Sequence, residues 1–318
     1  MPGTVKPVGG FNPGAAAEHL RNAMKGFGTN ESIIIKELSK HSNDQRQQIA
    51  LAFKTAYGKD LIDDLKSELG GDLEEVCIAL MTPPRTFDAR QINKAIKGIG
   101  TDETTLVEIL TTRTNAEINE IKKRYKEEFG CDLEDDLQSD TSGYFSRLMV
   151  SLCAAGRQSD DWGADEHKAE EDAKRFFEAG EARWGTEEAE LNAILCLRSP
   201  GQLKKMFERF EHLTGHPIEE SIKSECSGSL QEGYLAIVES VKSKPRYFAR
   251  RLNESMAGIG TNDNDLIRII VSRSEIDLED IKKEFARLYG KSLAEAITSE
   301  CSGDYKKMLL SVLDPSHN

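Results

Sequence analysis

Apolar residues recur along the chain at the spacing of a helix. Ile49, Phe53 and Tyr57 step by four, while Ile118, Ile121, Tyr125 and Phe129 step by three and four. Leu203, Met206, Phe207 and Phe210 make one stripe, and Leu278, Ile281, Phe285 and Leu288 another. Sustained two-residue alternation, the mark of a half-buried strand, does not occur. Segments such as DLIRIIV (265–271) are apolar on most sides and predict helices buried nearly all round. Pro83, Pro84, Pro200, Pro217 and Pro245 fall where helices should start or stop, because proline lacks the amide a helix interior needs.

The pattern repeats. MKGFGTNE (24–31), IKGIGTDE (96–103), EARWGTEE (181–188) and MAGIGTND (256–263) align, and their final glycines, Gly28, Gly100, Gly185 and Gly260, are 72, 85 and 75 positions apart. At ordinary helix and loop lengths each unit of about seventy residues holds about five short helices. The longer second interval contains RQSDDWGADEHKAEED (157–172), a polar stretch that reads as a linker between two halves. The expected organisation is all-α: a short tail over 1–13, repeats over 14–84 and 85–156, a linker over 157–168, and repeats over 169–243 and 244–318.

Composition narrows the class. Across 318 residues, 38% hydrophobic and 31% charged content suits a globular chain and not a disordered one. No run approaches the ~18 apolar residues of a membrane span, and MPGTVKPVGGFNPG has no apolar segment of a secretory signal. A cytosolic protein is expected. Six cysteines with no CxxC spacing read as reduced thiols. The net charge of −13 opposes nucleic acid. It equally opposes an anionic membrane, unless a cation stands between the two.

Taken singly, GxGT is a turn: glycine supplies positive φ, and Thr29, Thr101, Thr186 and Thr261 read as helix N-caps. It is not a dinucleotide loop, since Glu31, Glu103, Glu188 and Asp263 stand where a third glycine belongs and no strand precedes. However, an acid stands forty residues after the last glycine in every repeat: Glu68, Asp140, Glu225 and Glu300, within SELGGDL, SDTSGYF, SECSGSL and SECSGDY. A cap has no need of a fixed remote carboxylate. A metal site does, if the loop and the acid-bearing turn lie side by side. Backbone carbonyls plus one carboxylate are the hard-oxygen donors that Ca²⁺ takes, whereas zinc calls for His or Cys. An EF-hand is excluded around Asp263 and Asp265, because Arg268 falls where its glycine should be and Ser274 where its glutamate should be. One carboxylate leaves the ion a net positive charge and open positions. Such a site is weak alone and tightens when a lipid phosphate completes the shell, which resolves the charge conflict.

Phe27, Ile99, Trp184 and Ile259 are large and apolar at the centre of these loops, with Lys25, Lys97 and Arg183 beside them. They read either as side chains folded back into the core or as groups pressed into a headgroup layer, together with Lys25 and Lys97.

Four repeats, each with a GxGT-type loop and an acid forty positions on, resemble the annexins over about residues 14 to 314. The resemblance implies five-helix repeats wound as right-handed superhelices in a curved disc, with reversible calcium-dependent binding to acidic phospholipid and no catalysis. Ligands implied are the carbonyls of Met24, Gly26 and Gly28 with Glu68; Ile96, Gly98 and Gly100 with Asp140; and Met256, Gly258 and Gly260 with Glu300. Repeat three departs, with Arg183 at the first glycine and Glu181 at the Met. The family's variant third loop implies Gly180, Arg183 and Gly185 with Glu225. Asp140 is shorter than Glu, which implies a weaker second site. Thr29 with Glu31 and Thr101 with Glu103 match secondary calcium positions, with plain capping as the alternative. Thirteen residues after the last glycine stand Arg113, Arg198 and Arg273, but His41 in repeat one, against the family's tendency to Arg. The short tail implies no specific tail partner; self-association on the membrane is left open.

Two other functions compete. A calcium-independent helical scaffold would use the loops only as turns. An ion-conducting protein would use Asp88, Glu108, Arg113 and Arg268, charged residues on nominally buried helices that correspond to a polar centre in the family; a structural ion-pair network is the alternative. No nucleophile–base constellation or phosphate loop suggests an enzyme. The six histidines share no spacing, and surface or capping roles are expected of them.

Overall fold

Four quintets of helices follow one another in the computed structural model, which describes residues 2–26, 28–98, 100–161, 163–181, 186–258 and 260–317. Repeat one comprises α1 (Pro13–Ala23), α2 (Glu31–Lys40), α3 (Asn43–Tyr57), α4 (Leu61–Glu68) and α5 (Gly71–Met81). Repeat two comprises α6 (Pro84–Lys97), α7 (Glu103–Thr112), α8 (Asn115–Phe129), α9 (Leu133–Asp140) and α10 (Gly143–Cys153). Repeat three comprises α11 (Glu166–Ala179), α12 (Glu188–Leu197), α13 (Pro200–Thr214), α14 (Ile218–Glu225) and α15 (Gly228–Lys242). Repeat four comprises α16 (Lys244–Ser255), α17 (Asp263–Arg273), α18 (Leu278–Tyr289), α19 (Leu293–Glu300) and α20 (Gly303–Leu313), followed by a 3₁₀ turn over Pro315–His317. No strand occurs among the described residues.

The helix boundaries follow from local chemistry. Ser42 and Thr114 cap the third helices of repeats one and two through reciprocal capping boxes with Gln45 and Glu117. Pro84 and Pro200 open their helices, and Pro217 is the N-cap of α14. Inside, Ile49, Phe53, Ile118, Ile121, Tyr125, Phe210, Ile281 and Phe285 are buried, so the helical stripes face the core. In α17, Asp265 through Ile270 are all buried, as its apolar run requires.

The chain divides into two compact units. The first holds residues 1–87 and 245–318, and the second residues 88–244. Within the first, the second helix of each repeat packs against the fifth of the other: α2 on α20 and α17 on α5. The second unit repeats the exchange, with α7 on α15 and α12 on α10. Repeat one therefore pairs with repeat four, and repeat two with repeat three. The polar stretch 157–172, expected to link two halves, runs inside the second unit and already becomes helical at Glu166. Asp165 caps that helix by accepting from the His167 and Lys168 amides, which is why a polar, charged sequence starts a helix here.

Residues at the start of the chain lie along the first unit. The Thr4 hydroxyl donates to the Val312 carbonyl at 2.7 Å and the Val5 amide to the Ser274 carbonyl at 3.0 Å. A Cβ at Gly3 would come within 2.4 Å of the backbone at Ser274 and Glu275, so only glycine fits that approach.

Candidate metal centres

Each loop after the first helix of a repeat is pinned at its base. Asn30 donates its amide to the Ala23 carbonyl at 2.9 Å, Asp102 to Ala95 at 3.0 Å and Asn262 to Ser255 at 2.7 Å, closing seven-residue spans. In repeat three Glu187 donates to Ala179 at 2.7 Å across eight residues, so Gly180 takes the place of Met24 counted from the base of the loop. Met24, Ile96 and Met256 bury their side chains while Lys25, Gly26, Lys97, Gly98 and Gly258 are exposed. The apolar side chain thus anchors a backbone that turns outward. Among the described residues, no backbone hydrogen bond ends on the carbonyls of Met24, Gly26, Gly28, Met256, Gly258 or Gly260.

The glycines are needed for conformation and not for room. Gly26 and Gly28 have φ of 107° and 85°, Gly258 and Gly260 103° and 87°, and Gly100 80°. A Cβ at any of these would meet nothing within 4 Å. Gly98 differs: it is not left-handed, and its Cβ would sit 3.6 Å from the Gly100 carbonyl.

In repeats one to three the distant acid reaches this loop. Glu68, Asp140, Glu225 and Glu300 are each the last residue of the fourth helix of their repeat. The Thr29 hydroxyl donates to Glu68 Oε2 at 2.8 Å, that of Thr101 to Asp140 Oδ2 at 2.8 Å, and that of Thr186 to Glu225 Oε2 at 3.0 Å. A Cβ at Gly180 would lie 3.4 Å from Glu225 Cγ, so the third loop and its acid are in contact. In repeat four Glu300 accepts from Ser299 at 3.4 Å.

These threonines are not the N-caps expected from the sequence. The caps lie one residue later, where Asn30, Asp102 and Asn262 side chains accept from Ile33, Thr105 and Asp265 amides at 3.3, 3.1 and 3.2 Å. In repeat three Glu187 holds the cap position without a side-chain bond. Capping by the next residue releases the threonine hydroxyl to orient the acid.

An acid at a helix C-terminus faces the negative end of the helix dipole, an arrangement that costs about 0.3–1 kcal/mol. Among the described residues none of the four acids is paired with a cation, and no three His, Cys, Asp or Glu side chains gather as a metal cluster. Where the loops are described, the donors on hand are one carboxylate and backbone carbonyls, all hard oxygens, which would fit Ca²⁺ and not a soft metal.

The remaining candidates fall unevenly. Phe27, Ile99, Ile259, Arg183, Trp184 and Gly185 lie outside the described residues. Lys25 is exposed, while Lys97 pairs with Asp136 at 3.2 Å. Of the secondary positions, Glu31 is half-buried and Glu103 accepts from the Ser229 hydroxyl, a contact between repeats two and three with no sequence signal. Arg113 pairs with Asp88 inside the second unit at 2.9 Å, and Arg268 pairs with Asp265 inside the first at 2.8 Å. Glu108 is fully buried. All six cysteines are free of disulfides, with only Cys131 half-exposed. His41, expected to be a surface or capping residue, is the C-cap of α2 but is buried. No helix among the described residues is long and apolar enough to cross a membrane.

Four helical quintets, with a glycine-turned loop held against the acid that ends the fourth helix in repeats one and two, define a helical repeat protein with candidate cation loops. The annexin family model matches residues 15–80, 87–152, 171–237 and 247–312, and the chain belongs to the annexin family. It is 52% identical over 310 residues to human (Homo sapiens) annexin A11, covering 98% of this chain and 61% of that protein, so it spans about three fifths of that relative's length. It is 49% identical over 308 residues to mouse (Mus musculus) annexin A4, covering 97% and 96% of the two chains. The solved structure of annexin III superposes with a TM-score of 0.97 at 44% identity, covering 98% of this chain and 97% of that one.

Proposed function

We propose that this protein binds acidic phospholipid membranes reversibly when calcium rises, on the cytosolic side, without catalysing a reaction. What supports the reading most is the hydrogen bond from Thr101 to Asp140, repeated from Thr29 to Glu68 and from Thr186 to Glu225, which brings a remote carboxylate beside the residue that follows the loop's last glycine. Membership of a family whose general property is calcium-dependent phospholipid binding supports it independently.

In this reading Met24, Gly26 and Gly28 with Glu68, Ile96, Gly98 and Gly100 with Asp140, and Met256, Gly258 and Gly260 with Glu300 supply carbonyl and carboxylate oxygens. Gly180, Arg183 and Gly185 with Glu225 do so in repeat three. When bound, the ion supplies positive charge between two anionic surfaces. The Thr29, Thr101 and Thr186 hydroxyls keep Glu68, Asp140 and Glu225 turned toward their loops, and the buried Met24, Ile96 and Met256 side chains fix the loop base. Phe27, Ile99, Trp184 and Ile259, with Lys25 and Lys97, meet the headgroup layer. Thr29 with Glu31 and Thr101 with Glu103 are weaker second positions.

Sedimentation with vesicles of acidic phospholipid tests this. The wild type pellets with calcium and is released by chelator, with a calcium midpoint in the micromolar-to-millimolar range of open sites. The E68Q/D140N/E225Q/E300Q variant stays in the supernatant at that midpoint. Pelleting that ignores calcium, or an unchanged midpoint in the variant, would overturn the proposal.

A further inference from the structure

The loop lysine of repeat two already has a partner inside the protein. Lys97 stands between the candidate ligands Ile96 and Gly98, and its ammonium lies 3.2 Å from Asp136 Oδ2. Asp136 is on α9, one turn before the candidate carboxylate Asp140 that ends that helix. The pair therefore joins the loop to the acid-bearing helix at the candidate centre itself. Asp136 does not depend on the lysine alone. The Tyr125 hydroxyl donates to the same oxygen at 2.7 Å and the Cys131 thiol at 3.2 Å, while Asn93 donates to the Tyr125 hydroxyl at 3.1 Å. Tyr125 foremost, and after it Cys131 and Lys97, hold the Asp136 carboxyl below its ordinary range, although desolvation acts the other way. Two neutral donors would remain if the lysine left, so its departure strands no buried charge.

Repeat one shows what decides this partnership. Seventy-two positions earlier, Asp64 stands for Asp136 and Lys25 for Lys97, but Arg21 replaces Asn93 and Lys59 replaces Cys131. Those two cations engage Asp64, Arg21 at 3.5 Å and Lys59 at 3.4 Å. Lys25 is exposed and takes part in no ion pair among the described residues. With neutral Asn93 and Cys131 in their places, Asp136 is left to the loop lysine. Repeats three and four carry Ser221 and Ala296 where the aspartate would be, so the arrangement is particular to repeat two. We infer that Asp136 withholds Lys97 from acidic lipid, so that repeat two must break an ion pair before its lysine meets a headgroup phosphate, whereas Lys25 of repeat one meets it directly. The lysine exchanges one oxyanion for another, a carboxylate for a phosphate. The headgroup step rests on the membrane reading above; the hold of Asp136 on Lys97 does not.

Binding to vesicles of phosphatidylglycerol in phosphatidylcholine, at one fixed calcium concentration, reads the release. Asp136→Asn can still accept from Tyr125 and Cys131, and it should tighten binding by about 1.5- to 5-fold, the worth of an ion pair open to water on one side. Lys97→Gln should erase that gain, so that D136N/K97Q binds no tighter than K97Q alone. Asp135→Asn, at an exposed neighbour on the same helix, removes a negative charge but no partner of Lys97 and should tighten binding less than Asp136→Asn. A pulse of acetic anhydride in calcium-free buffer without lipid, read by mass spectrometry, should modify Lys97 more slowly than Lys25, and Asp136→Asn should remove the difference. A gain from Asp136→Asn that persists in the K97Q background would be an effect of net charge and would overturn the inference. So would a Lys97 that acetylates at the same rate with and without Asp136. If no vesicle binds at any calcium concentration, the membrane reading falls and the headgroup step with it, while acetylation still decides whether Asp136 holds Lys97.

Discussion

Arg113 grips Asp88 with two hydrogen bonds, Nη2 to Oδ1 at 2.9 Å and Nε to Oδ2 at 3.1 Å, and both side chains are buried. Burial alone would lower the basicity of Arg113, but Asp88 beside it raises it above the ordinary arginine value. Repeat three has the same pair in Arg198 and Asp172, at 2.6 and 2.9 Å. In repeat four Arg273 lies 4.6 Å over the Phe248 ring and bonds Asp277 at 2.8 Å. In repeat one the first-helix position of Asp88 and Phe248 is Ala16, and the arginine position is His41, which bonds the Glu37 carbonyl and leans on Phe11. Both members of the contact have changed together, so the missing arginine leaves no orphaned carboxylate.

Asp88→Ala should therefore be among the most destabilising single changes in the chain. It strands a buried guanidinium, a loss of about 3–5 kcal/mol, whereas D88A/R113M removes both charges and should cost less than D88A alone. Urea denaturation of the three proteins checks this. Additive losses would show that the two residues do not act as a pair.

The periodicity already carries the helical class and the quintet of helices, because the spacing of Leu203, Met206, Phe207 and Phe210 is a local property of the chain. The fixed forty-residue interval similarly carries the contact of Thr29, Thr101 and Thr186 with Glu68, Asp140 and Glu225 in repeats one to three. What the chain does not display is which neighbour a residue chooses. Thr29 and Asn30 are both good capping residues, and only the position of Glu68 decides that the threonine turns away while the asparagine caps. Nor does a pattern of apolar faces say which repeat covers which. The pairing of α2 with α20 joins segments at opposite ends of the sequence, so the polar stretch 157–172 looked like a boundary although it lies inside one unit.

Neutralising the four acids should act oppositely on fold and on ligand. Each sits at the negative end of a helix, so in calcium-free, low-salt buffer Glu→Gln or Asp→Asn should stabilise the protein by about 0.3–1 kcal/mol per site, shrinking as salt screens the dipole. Calcium should raise the melting temperature of the wild type and not that of E68Q/D140N/E225Q/E300Q, since only a ligand that prefers the native state stabilises it. Scanning calorimetry with calcium and with chelator reads both signs. Loss of calcium-free stability would assign the acids to the fold instead.

The loop glycines should differ by conformation and not by position in the motif. Gly26→Ala and Gly258→Ala place a Cβ at φ of 107° and 103°, a backbone cost of about 1–2 kcal/mol. Gly98→Ala, where the backbone is not left-handed and the new Cβ meets the Lys94 and Gly100 carbonyls at 3.5 and 3.6 Å, should cost less than about 1 kcal/mol. The calcium midpoint on vesicles should rise more for the first two variants than for the third. Equal shifts for Gly26→Ala and Gly98→Ala would show that the left-handed turn is not what the loop requires.

His216 ties the third loop to the start of α14 in a way that depends on its proton. Nδ1 faces the Pro217 carbonyl at 3.3 Å and Nε2 faces Glu181 Oε2 at 3.2 Å, so both ring nitrogens must donate, and only the imidazolium can do that. The Pro217 carbonyl, and then Glu181 with Glu220 nearby, raises the His216 pKa above its ordinary value against the opposing effect of desolvation. A folded pKa above the unfolded one means this contribution is complete below about pH 6.5 and fades as pH rises through the folded value. The stability gap between the wild type and His216→Gln should therefore be larger at pH 5.5 than at pH 8, read as the difference in melting temperature in calcium-free buffer. Glu181→Gln removes the anionic partner and should narrow that gap. A gap that widens toward alkaline pH would mean that the neutral ring, and not the cation, holds the loop.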